Sequence, residues 1–586
     1  MHHGQCDHVA PPRQNIVLLE DPDLFAYNEP EPTQFARNTS RYTSATTSSH
    51  PSQPSSQYYQ NLTPDPSKPP APPSSVGTGA SGYGAFRAGG PVNLFSRTYI
   101  SFLINWLLIG FFNGAMPALT YPLFQVYLHL QAYQGNAVLA LIDFAWNFKF
   151  IFSFLTDCVP MNRYRRKPYL YIGWFVLTAC LMGFTFRPQV EPYMRDGVVV
   201  NNDAEWQGPR HVIPLIVMSF ARILVIVASE GMMVEFAHRE GAMDRGETQA
   251  IIMMARGVGQ VLGILLVAFG ANSEEFGGTF NSSLSLRAMF GIWIAFAFLG
   301  LVTTRFIPED QVPSSSQPFT SQLHRVWRMV QQRVVWQVMV LGFFLNAVLT
   351  LNYGEKNTLY QMRLTEHTLG LNILDAIKVV GSVIAAFVIY RFMLNANWRK
   401  IVVWSLVAVT VVGTPIDSIT IFDALPSVAL FYIKDFLVSI PTALIVFMRE
   451  FVIVEITSPG YEAVTFGFIT TVHYLGKPLA MMVTNLFAMD RQEVQNDTSE
   501  VRWHLAVELW IVIAVRLVVI LAVMKLLPRD KRHALERKLL GNPNMVVPIL
   551  IFLCVVAVFC AVVSSSFLAV IKNTSCLKFA GGSGCT

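Results

Sequence analysis

The feature that most limits the fold of this chain is a series of long apolar runs that begins near residue 98. A helix needs about 20 mostly apolar residues to cross a bilayer. The sequence contains 12 such runs plus one more, near 98–122, 135–155, 168–187, 212–234, 249–271, 286–306, 335–353, 370–393, 400–417, 428–449, 463–487, 503–527 and 546–571. Charged residues make up only 14% of the sequence, against about 25% in soluble domains. This pattern predicts an all-α integral membrane protein.

The longest gap between runs, residues 307–334, divides the first 12 runs into six and six. It contains PEDQVPSSSQP and then HRVWRMVQQRVVW, a basic amphipathic stretch typical of a helix on a membrane surface. We therefore predict an N-terminal half at 96–306, a cytoplasmic linker at 307–334, a C-terminal half at 335–528, and an extra span with a tail at 529–586. Residues 1–95 are rich in Ser, Thr, Pro and Gly, which predicts a disordered cytoplasmic tail.

The distribution of basic residues sets the orientation, because cytoplasmic loops carry an excess of Lys and Arg. With the N-terminus inside, the inner loops hold Arg163, Arg165, Arg166, Lys167, His238, Arg239, Arg245, Arg325, Arg328, Arg333, Arg391, Arg399, Lys400, Arg529, Lys531, Arg532, Arg537 and Lys538. The glycosylation sequons at Asn281, Asn496 and Asn573 then fall outside. Two more sequons, at Asn38 and Asn61, fall in the inner tail.

Six plus six spans around an inner linker are the layout of the major facilitator fold, in which two related halves rock around a central site. Two short echoes between the halves agree with this layout. Asp157 precedes Arg165 by eight residues after the second run, and Arg391 precedes Arg399 by eight after the eighth. Arg256-Gly-Val-Gly also resembles His473-Tyr-Leu-Gly in spacing.

Composition and motifs count against other classes of protein. The net charge is +5, but the basic residues flank apolar runs, so we predict lipid contacts and no nucleic acid. The seven cysteines form no metal motif, and no cofactor is predicted; Cys576 and Cys585 could pair outside the cell. HExxH, GxSxG and P-loop motifs are absent from the sequence, which argues against an enzyme.

The stretch TDCVPMNRYRRKPY at 156–169 places four basic residues between two apolar runs. Topology alone explains the basic residues but leaves Asp157 unexplained. A carboxylate at a helix end, with Arg165 and Arg166 eight and nine residues later, can bridge helix ends or cap the N-terminus of a neighbouring helix. We predict that these residues form a latch at the cytoplasmic gate, with topology as the alternative role.

The longer string DCVPMNRYRRKPYLYIGW resembles the D-x-x-P-x-x-x-Y-R-R-K-P-Y-x-x-x-G-W signature of the folate-biopterin transporter family, a branch of the major facilitators. EGMMVEFAHREGAMDRGETQ at 230–249 and SPGYEAVTFGFITTVHYLG at 458–476 are similar to two further strings of that family. Glu230 stands where the family pattern has aspartate, and His473 where it has asparagine. The resemblance covers both halves and implies transport of a pteridine.

Ionisable side chains inside spans are costly and are functional candidates by default. Basic groups outnumber acidic ones at mid-depth, which favours an anionic substrate. We predict substrate contacts from Arg256, Lys378, Lys434, Arg222 and His473, and proton coupling or gating by Asp143, Asp375, Asp435, Glu230, Asp157, Arg165 and Arg166.

Each of these roles has a structural alternative. Asp375 and Lys378 are three residues apart and can neutralise each other, whereas self-pairing of the adjacent Lys434 and Asp435 is less natural. Arg256 lacks an acid in its own span, so its partner is either Asp143 or the substrate. A lone His473 can be a hydrogen-bonded structural residue, and Glu230 and Glu235 can pair with Arg165 or Arg166.

The sequence thus predicts a secondary active transporter of a folate- or pteridine-type anion, coupled to protons, in the plasma membrane or an organelle membrane. The alternatives are a major facilitator carrier of another organic anion and a nutrient sensor that uses the same scaffold without transport.

Overall fold

Helices make up most of the chain that the computed structural model describes. The described residues are 84–130, 132–195, 198–204, 207–310, 319–353, 368–425, 427–487 and 496–570, with the single residues 494, 574 and 577. Residue 315, in the predicted linker, and the sequon at Asn573, with Cys576 and Cys585, lie outside these ranges.

The described residues of the first half form seven α-helices: α1 (Ile100–Thr120), α2 (Ala132–Asp143), α3 (Lys149–Cys158), α4 (Lys167–Phe186), α5 (Gly208–Ala237), α6 (Glu247–Gly270) and α7 (Leu286–Thr304). A π-helical turn, Tyr121–Tyr127, extends α1, and a 3₁₀ turn, Phe144–Phe148, joins α2 to α3. The second predicted span is therefore two helices rather than one. A small hairpin pairs β1 (Met194–Arg195) with β2 (Val198–Val199).

The rest of the chain contains α8 (Phe319–Gln331), α9 (Arg333–Thr350), α10 (Thr368–Val388), α11 (Trp398–Ile421), α12 (Val428–Ile456), α13 (Glu462–Phe487), α14 (Ser499–Leu526), α15 (Lys531–Leu540) and α16 (Val546–Val570). Helix α8 occupies the predicted linker and buries Val326 and Val330. Helix α15 follows the C-terminal half and was not predicted.

Within the described residues, 11 helices are long and apolar enough to cross a membrane. They coincide with 11 of the predicted runs. The other two runs correspond to the α2–α3 pair, which is broken by its 3₁₀ turn, and to α13. Helix α13 has 26 residues but includes Glu462, His473 and Lys477, so it is more polar than the other long helices.

Equivalent helices pack in equivalent ways in the two halves. Helix α1 lies against α6 in the first half, and α9 lies against α13 in the second. A Cβ atom on Gly259 of α6 would collide with the main-chain oxygen of Leu107 on α1, and one on Gly476 of α13 with that of Phe343 on α9. The two glycines that echo each other in sequence thus permit the same close helix approach in space.

The halves meet along three helix pairs within the described residues: α3 with α13, α6 with α10, and α5 with α13. Helix α16 packs on both α2 and α13, so it covers one edge of this seam. Most of its side chains point away from the protein, as expected for a helix surrounded by lipid.

The packed part of the chain begins earlier than the boundary predicted at residue 95. Ala85 and Leu94 are each only 1% exposed, because residues 84–94 lie against the end of α5. Residues 84–95 are therefore not part of a disordered tail.

Candidate functional site

One end of the bundle carries the loops 159–166, 238–246 and 394–397, and we call it the basic end. Here Asp157, at the end of α3, contacts both halves of the protein. Its Oδ1 lies 2.8 Å from Arg166 Nη2, and its Oδ2 accepts the main-chain N–H of Val464 on α13 at 2.8 Å. A carboxylate at the first turn of a helix satisfies an open N–H and complements the helix dipole. Asp157 therefore caps a helix of the opposite half.

Arg166 is the partner of Asp157, and its side chain is fully buried. Its Nη1 also lies 2.5 Å from Glu235 of α5, and its Nη2 lies 3.6 Å from Glu462 of α13. Arg165 acts differently, since its main-chain N–H donates to Glu309 at 2.9 Å. Of the two arginines considered from sequence, Arg166 makes the ion pairs, whereas Arg165 donates its main-chain N–H to Glu309, the carboxylate that caps the start of α4.

Further contacts at the basic end join the same two halves. Arg245 Nη1 lies 2.7 Å from Glu455 at the end of α12. The Nε2 of His238 lies 3.0 Å from the main-chain oxygen of Val454, and Asn395 donates to the oxygen of Met243 at 2.9 Å. The basic end is closed by polar contacts that would have to break for the halves to separate there.

Glu240 caps the N-terminus of α6 from the preceding loop. Its carboxylate accepts the N–H groups of Gly246 and Thr248, each at 2.7 Å. Burial raises the pKa of Glu240 to about 7, although the hydrogen bonds from Thr248 and Gly246 oppose that rise. The group that fixes the start of α6 is thus placed to titrate near neutral pH.

A second polar cluster lies in the middle of the bundle and begins with Lys149 at the start of α3. Lys149 is fully buried and contacts Glu230 of α5 at 2.7 Å. Its Nζ also lies 5.4 Å from the ring centres of Phe466 and Tyr474 on α13. Burying an ammonium group is tolerated only with such a partner, and the aromatic faces add cation–π contacts.

Trp146 and Tyr474 form an aromatic pair across the seam beside Lys149. Their ring centres are 4.6 Å apart with an interplanar angle of 43°. Tyr474 interacts electrostatically with Glu450 of α12 and with Arg256 of α6. Side chains from both halves therefore surround one central position, which we call the central cluster: Trp146, Lys149, Glu230, Arg256, Arg449, Glu450 and Tyr474.

Three members of this cluster, Arg256, Arg449 and Glu450, have unmet bonding capacity; for Arg449 the unpartnered atom is the buried Nε. Arg256 makes no hydrogen bond or ion pair within the described ranges, and its neighbours Glu450 and Lys149 act on it only at longer range. Glu450 is 5% exposed, and its Oε2 has no hydrogen-bond partner among the described residues. An arginine and a carboxylate that lack hydrogen-bond partners at the interface between two halves are typical of a ligand site.

Arg222 and His473 lie near the cluster with mainly structural contacts. Arg222 is buried on α5, where its Nη2 donates to Ser219 Oγ at 3.3 Å. The ring of His473 packs between α13 and α9, where its Nε2 lies 3.0 Å from the main-chain oxygen of Val338. His473 thus occupies a helix contact within one half.

The remaining predicted residues form ion pairs nearer the opposite end. Lys378 lies 3.0 Å from Asp375 and 3.2 Å from Asp435. Lys434 lies 2.9 Å from Asp417 and also 3.5 Å from Asp435, closer than adjacency on a helix led us to expect. These side chains form a single network on α10, α11 and α12.

Asp143 pairs with Lys477 across the seam at 2.8 Å, so it is not the partner of Arg256. Both side chains are partly exposed, as are those of Asp375 and Lys378. No cluster of three or more His, Cys, Asp or Glu side chains suited to a metal occurs in the part of the chain that the structure describes.

Sequence reasoning missed Lys149, Arg449 and Glu450. Lys149 lies inside a predicted span, so its depth was a usable signal. Arg449 and Glu450 lie at the predicted end of the tenth run, whereas α12 continues to Ile456. The extra turns place both side chains inside the bundle.

Comparisons with known proteins agree with this architecture. Residues 110–538 match the model of the BT1 family. A folate-biopterin transporter of Synechocystis sp. is 25% identical over 366 residues, which are 60% of this chain and 67% of that protein. "Probable folate-biopterin transporter 4" of Arabidopsis thaliana is 23% identical over 214 residues, covering 36% of this chain and 38% of that protein.

Solved structures show the fold. A D-xylose–proton symporter matches with a TM-score of 0.51 and 17% identity, over 75% of this chain and 99% of its own. A major facilitator superfamily proton:xylose symporter matches with a TM-score of 0.52 and 16% identity, over 75% of this chain and 98% of its own. The chain therefore has the major facilitator fold and is a multi-pass membrane protein.

Proposed function

Because the chain belongs to the BT1 family and has a transporter fold, we propose that this membrane transporter carries a folate- or pteridine-type organic anion by alternating access, coupled to protons. The curated relatives are named folate-biopterin transporters. The observation that carries the proposal is that Arg256, which has no hydrogen bond or ion pair within the described ranges, lies in the same cluster as aromatic side chains at the seam between the halves.

The central cluster offers what such a ligand requires. A pteridine ring is flat and stacks on aromatic faces, as supplied by Trp146 and Tyr474. Its amino and amide edge donates hydrogen bonds, for which Glu450 has a free acceptor. The carboxylates of a folate tail suit the fork of Arg256, which binds a carboxylate through two parallel bonds.

Lys378 has a different role in this proposal, since Asp375 and Asp435 already engage it. An arriving carboxylate competes for Lys378 and weakens both pairs. A proton on the released aspartate then replaces the positive charge that Lys378 had supplied beside it. Substrate and proton binding are coupled in this way, with Asp375 as the proton carrier.

The contacts at the basic end support alternating access. That end is closed by bonds between α3, α5 and α12–α13, while Asp143, Lys477, Asp375 and Lys378 nearer the opposite end are accessible. Charged groups within a membrane are placed where water or another charge reaches them. We infer an outward-facing arrangement, with the basic end on the cytoplasmic side.

Uptake into proteoliposomes tests the proposal with a folate and with a neutral pterin that lacks the glutamate tail. We expect Arg256→Gln to weaken folate binding roughly 10- to 150-fold, the effect of losing one charge-assisted contact, with a smaller effect on the neutral pterin. Arg256→Lys keeps the charge but loses the fork, so it should also bind folate more weakly. Lys378→Gln should reduce proton-driven accumulation more than exchange.

Arg287→Gln is a matched control, because Arg287 is exposed at the start of α7. If the Arg256 and Lys378 variants handle both ligands as wild type does, the carboxylate contacts are wrong. Competition by unrelated organic anions, without competition by pterins, would assign another substrate. Ligand binding without any uptake would indicate a sensor.

A further inference from the structure

The short segment 84–90 inserts between the two halves at the basic end, and we call it the N-terminal plug. Its main chain is anchored on the end of α5, where the N–H groups of Phe86 and Arg87 donate to the oxygen of His238 at 2.9 and 3.0 Å. Ala85 is almost completely buried. The plug is thus held by specific contacts.

Arg87 reaches from the plug to carboxylates of both halves. Its Nη2 lies 2.6 Å from Glu462 on α13 and 3.5 Å from Glu235 on α5. These are the same carboxylates that Arg166 approaches from the other side. Glu235 and Glu462 therefore form an acidic notch across the seam, and Arg87 occupies it.

The charge balance shows why the notch needs a second arginine. Asp157, Glu235 and Glu462 all approach the Arg166 guanidinium, so three acids share its single positive charge. Glu462 is completely buried, and a buried carboxylate is costly unless it is paired and hydrogen-bonded. Arg87 brings the second positive charge, and without it the carboxylates of the two halves would repel each other across the seam.

Phe86 and Gly84 fix the position of Arg87. The guanidinium carbon of Arg245 lies 3.7 Å from the ring centre of Phe86, and the His238 ring meets Phe86 edge-on at 5.2 Å. Gly84 has a φ of +81°, and a Cβ there would lie 2.8 Å from that of Ala242. A side chain at position 84 would therefore both strain the backbone and clash.

From these contacts we propose that the acidic notch is a binding site for the chain's own N-terminal plug, and that the bound plug holds the cytoplasmic gate closed. The proposal rests on the transport function inferred above. When the halves separate at the basic end, Glu235 and Glu462 move apart, and Arg87 can no longer contact both. The plug must then leave at least one side of the notch, so binding of the plug and opening of the gate oppose each other.

Cys158 provides a readout of gate opening that needs no substrate. Its thiol is 9% exposed and packs beside Val464 of α13 and Val326 of α8. Separation of α13 from α3 exposes it to a maleimide in purified full-length protein. The labelling rate is measured by mass spectrometry of the peptide that contains Cys158.

We expect Arg87→Gln to raise the labelling rate at Cys158 about ten-fold, since one charge-assisted bond across the seam is lost. Arg87→Lys keeps a point charge and should give a smaller increase. Arg97→Gln is the matched control, because Arg97 is an exposed arginine that follows the plug and lies outside it; it should label as wild type does.

A double-mutant cycle separates a role in the notch from a general loss of packing. In a Glu462→Gln background, Arg87→Gln should add much less to the labelling rate than it does in wild type. An unchanged rate in Arg87→Gln would overturn the proposal, and so would an equal increase in both backgrounds. Because no ligand is present, failure of the pteridine assignment would leave these outcomes intact.

Discussion

The carboxylate of Asp157 and the main-chain N–H of Val464 form a 2.8 Å hydrogen bond that joins α3 of one half to the first turn of α13 in the other. The other oxygen of Asp157 is held by Arg166. One side chain thus links a loop arginine of its own half to a helix N-terminus of the opposite half. The bond can exist only while the basic end is closed.

Asp157→Asn should impair turnover more than ligand affinity. The amide keeps one acceptor but loses the charge that pairs with Arg166 and favours the α13 dipole, so the closed state loses stability relative to the open one. A change in the balance of two states alters transport without a direct contact to the ligand. Transport rate and equilibrium binding are measured in parallel, with the exposed Asp203→Asn as control. Normal transport by Asp157→Asn at normal expression would rule out the latch.

Lys149→Met should strongly destabilise the protein, because it leaves Glu230 buried without its partner. Breaking a buried ion pair from one side costs about 3–5 kcal/mol, whereas replacing both partners with apolar residues is often neutral. The double variant Lys149→Met, Glu230→Leu should therefore recover much of the lost stability. Thermal unfolding in detergent gives the comparison, with the exposed Lys525→Met as control.

A double variant less stable than Lys149→Met would contradict this account of the pair. If stability returns in the double variant while uptake does not, Lys149 and Glu230 serve transport rather than folding.

Local signals in the sequence predicted the spans and two ion pairs. An apolar run consists of residues that are adjacent in sequence, so the long helices could be predicted directly. The three-residue spacing of Asp375 and Lys378 was likewise enough to suggest their contact. The Asp157–Arg166 contact was also close in sequence. These features need no knowledge of how the helices are arranged.

The central cluster could not be predicted because its members are distant in sequence. Lys149 meets Glu230 81 residues away, and Trp146 meets Tyr474 only after the two halves have assembled. Arg87 was assigned to a disordered tail because composition describes the stretch as a whole. The few buried residues at the end of that stretch are nevertheless packed against the helices.

The topology predicts which exposed positions face the outside of the cell. Asn281 lies in the loop before α7, and Asp310 follows α7 at the basic end; both side chains are exposed. Each is replaced by cysteine in turn. An impermeant maleimide should label Asn281→Cys in intact cells and reach Asp310→Cys only after permeabilisation. Wild type gives the background from native cysteines. The reverse pattern would invert the orientation of the whole bundle.

Glu240 should make the stability of the folded protein depend on pH between its ordinary pKa of 4.5 and about 7. The folded protein holds this proton more tightly than the unfolded chain, because burial disfavours the charged form. The resulting stability is fully present below pH 4.5 and is lost as the pH rises through about 7, by up to about 3 kcal/mol.

Glu240→Gln cannot titrate, so the thermal stability of wild type relative to this variant should fall as the pH is raised from 4.5 to 7.5. The exposed Glu274→Gln is the control and should keep a constant difference from wild type. A wild-type stability that rises relative to Glu240→Gln over this range would mean that the ionised carboxylate, held by Gly246 and Thr248, is the form that stabilises the start of α6.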